Sequence, residues 1–518
     1  MNSWRLVWRI RRLLAAVFLL LVASSARATI KYQVSLEHPE KHLFYVSMSI
    51  PVKNDDVTVA MPAWNALYQI RDFSYRVRAN LVSSVLGAMK SARAPAELDK
   101  QTWQLCPCTL GGERLHEITF SYEIEWNEPS PFDSQLNEHH AFLNLAEVLM
   151  YVPDRRNEDV EVQFENVPAG WKTIAELAPG SDPNSFVAAS YDELVDAPVE
   201  IGSFDEFEFD SDDARFRVAV DSKSYNKSRL EDYLQRITNY ELQLMGGPPF
   251  KEYTFIFHIG GRGEVAGGGM EHANSAAISV NSPGELLELP AHEFFHAWNV
   301  KRIRPRTLEP VDYTKEQYTR ALWFAEGVTS TYGSYTLERT HLWSKDEFYR
   351  DLASQITELE SRPAHTWQSV EDSSLDAWLE KYDDYLLPDR SISYYSKGQL
   401  LGVMLDLAIR DATDNRKSLD DVMRRMNEEY ARQHKFYDDS EGIRAVVEEV
   451  AGTSFKEFFR LYVAGVAEIP FDKFLDLAGL QLKIEGAKAG GAYSITEVPH
   501  PTDRQRRIRE GLLRGTTD

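Results

Sequence analysis

Two histidines and two glutamates have the types and spacing of a catalytic metal site. His292, Glu293 and His296 form the run HEFFH, and Glu326 follows downstream in WFAEGVTSTYG. Residues four apart lie on one face of a helix, so both imidazoles can reach one metal ion while the adjacent glutamate holds a proton. A carboxylate from a second helix would complete three protein ligands and leave one position open, as a catalytic zinc requires.

A surface helix that carries two histidines by chance is the alternative interpretation of this run. The residues around the histidines are apolar and predict a buried helix instead: Phe294, Phe295, Ala297 and Trp298. Burying two imidazoles and a carboxylate without a shared partner would be costly. We therefore expect one zinc ion, bound by His292, His296 and Glu326, with Glu293 as the general base that accepts a proton from the attacking water.

Hydrolysis of a peptide carbonyl also needs a group that stabilises the oxyanion. A tyrosine hydroxyl suits this role because it donates a hydrogen bond without adding charge. Tyr394 and Tyr395, at the head of YYSKG, are the candidates, and aromatic packing at a helix start is the alternative. Lys397 and Gly398 in the same run are equally ambiguous from their positions alone.

The glycine-rich run GGGMEH, residues 267–272, lies between two apolar segments just before the histidine helix. Its glycines would let another backbone approach closely, so an edge strand here could pair with an extended peptide, and Glu271 could hold a cationic N-terminus. A flexible hairpin turn is the alternative. Three basic residues after the helix could anchor a substrate carboxylate, support the site residues as their hydrogen-bond partners, or form a solvated turn: Lys301, Arg302 and Arg304.

The elements that position these residues predict an α+β protein with a strand-rich half followed by a helix-rich half. Alternating apolar and polar residues in segments such as HEITFSYEIEW indicate an antiparallel, sandwich-like β domain over residues 29–205. Residues 206–340 should form the catalytic domain and residues 341–475 a helical lobe. The weakly patterned residues 476–518 should form a short C-terminal appendage.

Local helix signals give three further predictions. Pro290 stands two residues before His292, so the helix should begin or kink there. Thr314 and Gln317 have the spacing of a capping box for the helix that carries Glu326. Two more pairs with this spacing predict helix starts: Ser344/Glu347 and Ser454/Glu457.

The first 28 residues have the pattern of an export signal. Four arginines precede the apolar stretch from Leu13 to Ala23, and Ala26 and Ala28 supply the small residues that a signal peptidase reads. We expect the mature chain to start at Thr29 and to act in the periplasm or outside the cell, with no stable membrane association. A retained N-terminal anchor is the alternative.

The net charge argues against one class of partner, nucleic acid, and the cysteine content limits the roles of the thiols. Removing the five arginines of residues 1–28, which contain no acid, would take the net charge from −23 to −28. Such an acidic chain is a poor nucleic-acid binder. Cys106 and Cys108 are the only cysteines, and a disulfide across one residue is strained. We expect them to be structural or inert, since neither a redox context nor a full zinc ligand set surrounds them.

Four segments that occur in family order resemble the glycyl aminopeptidase family of zinc metallopeptidases, a branch of the thermolysin-like gluzincins: GGGMEHANS at 267–275, HEFFHAWNVKRIRP at 292–305, LWFAEGVTSTYG at 322–333 and YYSKG at 394–398. The resemblance implies a thermolysin-like catalytic domain. It also implies an enzyme that removes N-terminal residues, favouring glycine and alanine. The family's zinc ligands fall on His292, His296 and Glu326, and its base falls on Glu293.

The same resemblance extends to the substrate site. The glycine-methionine-glutamate motif of the broader gluzincin aminopeptidases corresponds to Gly268, Gly269, Met270 and Glu271. This makes Glu271 the expected contact of the substrate amine, although His272 stands where those enzymes have asparagine. Their tyrosine-x-lysine-glycine motif favours Tyr395 over Tyr394 for the oxyanion. Family members commonly carry a C-terminal PDZ domain, for which too few residues follow Gly479.

Three functions fit these observations. The first is a zinc aminopeptidase that acts on peptides with small N-terminal residues. The second is a zinc endopeptidase or broad-specificity peptidase, in which Glu271 only shapes the cleft. The third is a catalytically silent peptide-binding protein, which the intact set of ligands and base argues against.

Overall fold

The computed structural model describes residues 29–53, 56–65, 68–84, 95–105, 109–110, 113–114, 116–222, 224–260, 265–282, 284–379, 387–485 and 492–515. The predicted export signal at 1–28 and the two cysteines, Cys106 and Cys108, lie outside these residues. No helix in the described ranges combines the length and the apolar character that a membrane crossing requires.

The first part of the chain is a β domain, as its alternating pattern predicts. Its strands are β1 (Ile30–Ser35), β2 (Leu43–Pro51), β3 (Val57–Ala60), β4 (Val77–Ser84), β5 (Ala96–Asp99), β6 (Thr102–Leu105), β7 (Thr109–Leu110), β8 (Glu113–Arg114), β9 (Glu117–Glu125), β10 (Gln135–Leu136), β11 (His140–Leu143), β12 (Val160–Glu165), β13 (Lys172–Ala175), β14 (Ala178–Pro179), β15 (Ser185–Ala188) and β16 (Val199–Gly202). Two short helices interrupt them, α1 (Leu145–Val148) and α2 (Tyr191–Val195).

Two sheets of this domain enclose one apolar core. The larger has the order β14-β15-β12-β1-β2-β9-β4, and the smaller has the order β10-β11-β16-β13. Every second residue of β9 is buried, from Ile118 to Ile124, because successive side chains of a strand point to opposite faces. The pair β1–β12 is parallel and the other pairs of the larger sheet are antiparallel.

A separate, five-stranded sheet outside the β domain supports the candidate site. Its strands are β17 (Asp205–Ser211), β18 (Ala214–Ser222), β19 (Glu252–Ile259), β20 (Gly268–Glu271) and β21 (Ser275–Val280), in the order β17-β18-β19-β21-β20. Strands β18, β19 and β21 run parallel, and helix α3 (Lys227–Met245) connects β18 to β19. Among the described residues, strand β20 pairs only with β21 and so lies at the edge of the sheet, which shows that the glycine-rich run forms a strand and not a turn alone.

Helices predominate in the described residues that follow this sheet. They are α4 (Glu285–Phe295), α5 (Thr329–Arg339), α6 (Lys345–Ser361), α7 (Val370–Asp376), α8 (Tyr394–Ala412), α9 (Leu419–Glu429), α10 (Asp439–Ala451), α11 (Lys456–Phe458), α12 (Phe471–Leu477) and α13 (Asp503–Arg514). Two π-helical turns occur, at Trp323–Val328 and at Phe459–Val463. One apolar core joins these helices to the five-stranded sheet. The predicted boundaries at 205, 340 and 475 stay predictions.

The helix signals succeed in part. Ser344 and Glu347 form the predicted capping box of α6. The pair Thr314/Gln317 was wrongly predicted to cap a helix: Gln317 accepts a hydrogen bond from the Asp312 amide at 2.9 Å, within a turn. The pair Ser454/Glu457 does mark a helix start, since α11 begins at Lys456, but it does not form the capping box, because Ser454 donates to Glu448 and Phe455 occupies the N-cap. Both serine and threonine side chains have a competing local partner, which the spacing alone does not reveal.

The C-terminal residues dock more closely than their weak pattern suggests. Strands β22 (Leu480–Glu485) and β23 (Ala492–Glu497) form a hairpin, and α13 follows it with a capping box made by Thr502 and Gln505. Ile508 and Leu512 of α13 are buried in the same apolar core as the five-stranded sheet. That capping pair was the available sequence signal for this helix.

Candidate metal centre and active-site cleft

Helix α4 and the π-helical turn Trp323–Val328 place the predicted ligands opposite one another. Helix α4 begins at Glu285 and continues through Pro290, so the proline lies inside the helix rather than at its start. The apolar face of α4 is fully buried and carries Ala291, Phe294 and Phe295. Burial of this face directs His292 and His296, one turn apart, towards Glu326.

The three predicted ligands converge on one point. The Nε2 atoms of His292 and His296 lie 3.0 Å apart, and they lie 3.5 Å and 3.3 Å from Oε2 of Glu326. Ligands at about 2.0–2.1 Å from a tetrahedral zinc ion lie about 3.3 Å from each other. The geometry of these three side chains therefore fits a single zinc ion.

The Nδ1 atoms of both imidazoles, which point away from Glu326, have the hydrogen-bond partners expected of histidines that bind a metal through Nε2. His296 Nδ1 donates to the backbone carbonyl of Asn299 at 2.6 Å. His292 Nδ1 lies 3.3 Å from Ser330 Oγ, whose own proton goes to the Glu326 carbonyl. A proton on each Nδ1 leaves both Nε2 lone pairs free for a metal. Three electron-pair donors facing each other are consistent with a cation between them.

Asn299 connects the end of the histidine helix to the turn that carries Glu326. Its side-chain amide donates to the Phe324 carbonyl at 2.9 Å and to Thr329 Oγ1 at 3.1 Å. Thr329 Oγ1 in turn donates to the Asn299 carbonyl at 3.0 Å. These bonds fix the distance between His296 and Glu326, because they lock together the two segments that hold them.

The electrostatics of the site reflect its burial and crowding. Burial opposes a charge on Glu326, but the adjacent His296 and His292 hold the pKa of its carboxyl well below its usual range. Burial also lowers the pKa of His292. Glu293 differs, because burial, and then the nearby carboxylates of Glu271 and Glu326, raise the pKa of its carboxyl to about 8.

The edge strand β20 passes directly over Glu293. A Cβ atom at Gly269 would overlap the Glu293 side chain, so only glycine allows this approach. Glu271 lies on the same face of the strand and lines the cavity with Glu293. Met270 faces the other way, where its sulfur accepts a hydrogen bond from Asn144 at 3.2 Å. Only the main chain of Met270 is available to a substrate in this cavity.

Gly268 meets the N-terminal β domain. Its φ of +148° suits glycine, and a Cβ there would overlap the ring of Phe132. Phe132 belongs to a loop whose Pro129 carbonyl accepts from the amide of Ala266 at 2.9 Å. The β domain therefore closes the Gly268 end of the edge strand.

The two candidate tyrosines have different surroundings. Tyr394 is 1% exposed and packs in the core, whereas Tyr395 lines the cavity with its ring centroid 6.1 Å from that of His292. Both start helix α8, which crosses the π-helical turn at Gly398 and Gly327. A Cβ on either glycine would overlap the backbone of the other segment. This close crossing places Tyr395 beside the histidines.

These side chains line a cavity of about 340 Å³. All predicted metal ligands reach it, together with Gly269, Glu271, Glu293 and Tyr395. Sequence reasoning missed several lining residues and the two that orient the ligands, Asn299 and Ser330. The missed lining residues include five from separate parts of the chain: Tyr68, Phe132, Glu288, Asp351 and Gln399.

The basic residues after α4 serve the fold and not the cavity. Lys301 forms an ion pair with Asp196 at 2.6 Å. Arg302 donates to the Ala273 carbonyl and to Asn274 Oδ1, both at 2.7 Å, and so ties the β20–β21 turn to the end of α4. Arg304 pairs with Glu309. Neither a substrate anchor nor a freely solvated turn describes them.

Two protein-family models match parts of the chain. The model of the M61 glycyl aminopeptidase family matches residues 285–401, and the model of the peptidase M61 N-terminal domain matches residues 31–203. No curated protein matches the chain.

Solved structures share the fold. An aminopeptidase N family protein from Idiomarina loihiensis is 25% identical, with a TM-score of 0.82 over 88% of this chain and 79% of that chain. The M1 zinc metallopeptidase from Deinococcus radiodurans and a glutamate-to-alanine variant of it are each 12% identical, with TM-scores of 0.50 and 0.51. Each of these matches covers 86% of this chain and 95% of that chain, and at this identity the likeness concerns the fold alone.

Proposed function

Since the chain belongs to the M61 glycyl aminopeptidase family, whose two models together match more than half of it, we propose that it is a zinc aminopeptidase that removes small N-terminal residues from peptides. The observation that carries this proposal is the convergence of His292, His296 and Glu326 beneath an edge strand that ends in Glu271. Glycine and alanine are the proposed N-terminal residues.

One zinc ion held by His292, His296 and Glu326 would supply Lewis-acid chemistry, polarising the scissile carbonyl and making water acidic. Glu293 would accept the proton of the attacking water. It would then deliver that proton to the leaving amine, because its carboxyl lies between the ligands and the strand that carries the substrate. The Tyr395 hydroxyl would donate a hydrogen bond to the oxyanion.

Substrate placement would follow from the edge strand. A peptide paired with β20 gains main-chain hydrogen bonds at Gly268, Gly269 and Met270, and its free ammonium group would contact the Glu271 carboxylate. Fixing the ammonium at Glu271 leaves only the first peptide bond within reach of Glu293. In this proposal the Glu271 carboxylate, and not the metal ligands, limits cleavage to the N-terminal residue.

The deciding experiment compares free and blocked substrates. Purified protein is incubated with glycyl and alanyl tripeptides and with their N-acetylated forms, with and without a chelator, and the new termini are identified by mass spectrometry. Release of the first residue from free peptides alone, abolished by the chelator, is expected. Equal cleavage of acetylated peptides would instead indicate an endopeptidase, and binding without cleavage would indicate a silent peptide-binding protein.

Glu271→Gln tests the assignment of the amine contact. The variant loses the charge that attracts the ammonium, so we expect kcat/KM for free tripeptides to fall by about 10²-fold or more, with zinc content unchanged. A variant that cleaves free tripeptides as well as the wild type does would contradict this role.

Residues 1–28 are proposed to export the chain to the periplasm or beyond the cell. Their composition supports this, since an arginine-rich start precedes an apolar stretch and small residues. Cell fractionation and N-terminal sequencing of the product test it, and a cytoplasmic chain that keeps Met1 would contradict it.

A further inference from the structure

A second cluster of metal-ligating side chains lies outside the active-site cavity. His140 on β11, Glu200 on β16 and His258 on β19 place their donor atoms within 4.8 Å of one another. His140 and Glu200 belong to the smaller sheet of the β domain, whereas His258 belongs to the five-stranded sheet of the catalytic part. The cluster therefore bridges two separate sheets.

The cluster is buried, and its charges are held close together. Glu200 is 1% exposed, His258 6% and His140 8%. Glu200 Oε1 lies 2.9 Å from His140 Nδ1, and its Oε2 lies 3.0 Å from His258 Nε2. A charged carboxylate at this depth needs a cation beside it.

The orientation of His140 resembles that of the histidines in the active site. Its outer nitrogen, Nε2, donates to Gln135 Oε1 at 2.9 Å, so Nδ1 faces Glu200 Oε1 at 2.9 Å. A carboxylate oxygen and an imidazole nitrogen in contact are stable only with a proton or a metal cation between them. His296 shows the same arrangement, with its outer nitrogen on a carbonyl and its inner nitrogen on Glu326.

A fourth donor is within reach. Asp221 is the register partner of His258 on the neighbouring strand β18, and its Oδ2 lies 3.8 Å from His140 Nδ1. His140 Nδ1 thus lies 2.9 Å from Glu200 Oε1 and 3.8 Å from Asp221 Oδ2, on either side of the spacing of about 3.3 Å between ligands of a tetrahedral zinc ion. Two imidazoles and two carboxylates around a divalent ion have no net charge, which suits the buried His140, Glu200 and His258, while the Asp221 side chain is 44% exposed at the edge of the cluster.

We propose that His140, Glu200, His258 and Asp221 form a second, structural site for a divalent transition-metal ion such as zinc, which links the N-terminal β domain to the catalytic sheet. Four protein ligands close the coordination shell, so this site would stabilise the fold without hydrolysing substrate. Imidazole and carboxylate donors favour zinc over the hard ions calcium and magnesium.

Metal counting tests the proposal in a chain whose catalytic centre is disabled. Full-length protein carrying His292→Ala and His296→Ala is stripped with a chelator, reloaded with zinc and desalted, and zinc per chain is measured by mass spectrometry. We expect one zinc in this double variant against two in the wild type, and a higher melting temperature with zinc than without it. A double variant that retains no zinc overturns the proposal, since the cluster would then be joined by a proton alone.

Removal of the cluster's own ligands completes the test. Adding His258→Ala to the double variant should abolish the remaining zinc, whereas the control His139→Ala, which changes the exposed neighbour of His140, should leave it in place. Zinc that survives His258→Ala would lie elsewhere and would overturn the assignment. If His258→Ala impairs folding, the zinc content of the His292→Ala/His296→Ala variant still tests the proposal, because that variant keeps all four proposed ligands of the second site.

Discussion

At the scale of single residues, the site depends on which atom of each side chain is free. His292 and His296 present Nε2 to Glu326 because Ser330 and the Asn299 carbonyl engage their Nδ1 atoms. Glu293 stands apart from this set, with burial raising the pKa of its carboxyl to about 8. Mutations can therefore test separately the metal ligands, the groups that orient them and the base Glu293.

Glu293→Gln separates base from ligands. The amide fills the same space under Gly269 but cannot accept a proton, so we expect kcat/KM to fall by about 10³-fold with zinc still bound. Activity on a glycyl tripeptide and zinc content are measured together. Glu285→Gln, in the first turn of the same helix, is the matched control and should keep both. Retention of near wild-type activity by Glu293→Gln would rule out its role as the base.

Lys397 carries a stability cost that depends on pH. Burial lowers the pKa of its ammonium group to about 8 from an ordinary value of 10.5. Below pH 8 the folded state must hold a buried charge, so the full cost, about 3 kcal/mol, is present there. Above pH 10.5 the lysine is neutral in both states and the cost vanishes.

Lys397→Met should therefore be more stable than the wild type at pH 7, with the difference closing between about pH 8 and 10.5. Urea unfolding at several pH values measures it, and Lys456→Met, which removes an exposed lysine, is the control. A constant gap for Lys397→Met would show that burial does not penalise this charge.

At the scale of elements, close crossings decide which residues meet. Helix α8 approaches the π-helical turn only because Gly398 faces Gly327, and β20 approaches α4 only because Gly269 faces Glu293. The first crossing brings Tyr395 to the histidines, and the second brings the edge strand to the base. Gly398 and Gly327 therefore act on the site without touching a substrate, whereas Gly269 also belongs to the strand that is proposed to pair with the substrate.

Gly398→Ala tests the first crossing. The added methyl group would overlap the Trp323 carbonyl, so α8 must shift away, and we expect a loss of about 1–3 kcal/mol in unfolding free energy and a lower kcat. Gly284→Ala is the control, because its Cβ would lie 3.9 Å from Glu288 Oε1, an ordinary contact. Unchanged stability and kcat in Gly398→Ala would contradict the proposed packing constraint.

At the scale of the whole molecule, the N-terminal β domain completes the cleft. Phe132 and Tyr68 come from that domain, yet both line the cavity. A substrate whose amine contacts Glu271 and which runs antiparallel to β20 would reach Gly268, and hence Phe132, with its later residues. The proposed second metal site would hold the same two parts together from another side.

Phe132→Ala should therefore weaken binding in a way that depends on substrate length. We expect KM to rise by about 10-fold for a glycyl tripeptide but to change little for a glycyl anilide, which ends before Phe132. Zinc content should be unaffected, because the ring does not contact the ligands. Equal changes for both substrates would show that Phe132 supports the fold and not the later residues of a peptide.

The sequence determined the local chemistry of this protein. The spacing of HEFFH sets His292 and His296 on one helix face, and alternating residues set the buried faces of strands such as β9. Both follow from the short-range geometry of helix and strand. The capping boxes expected of Thr314/Gln317 and Ser454/Glu457 did not form, because a side chain found a different nearby partner, which residue spacing does not reveal.

Only the tertiary structure decided how distant segments meet. It directs Met270 away from the cavity and brings Phe132, Asn299 and Ser330 to the site. It also packs Tyr394 in the core and turns Tyr395 to the cavity, in line with the preference that the motif resemblance implied. It also gathers His140, Glu200 and His258 from three strands of two sheets. Periodicity fixes the face of a helix or strand on which a residue lies. Which other segment packs against that face depends on the whole chain, because the folded state must leave little empty space and no unpaired buried charge.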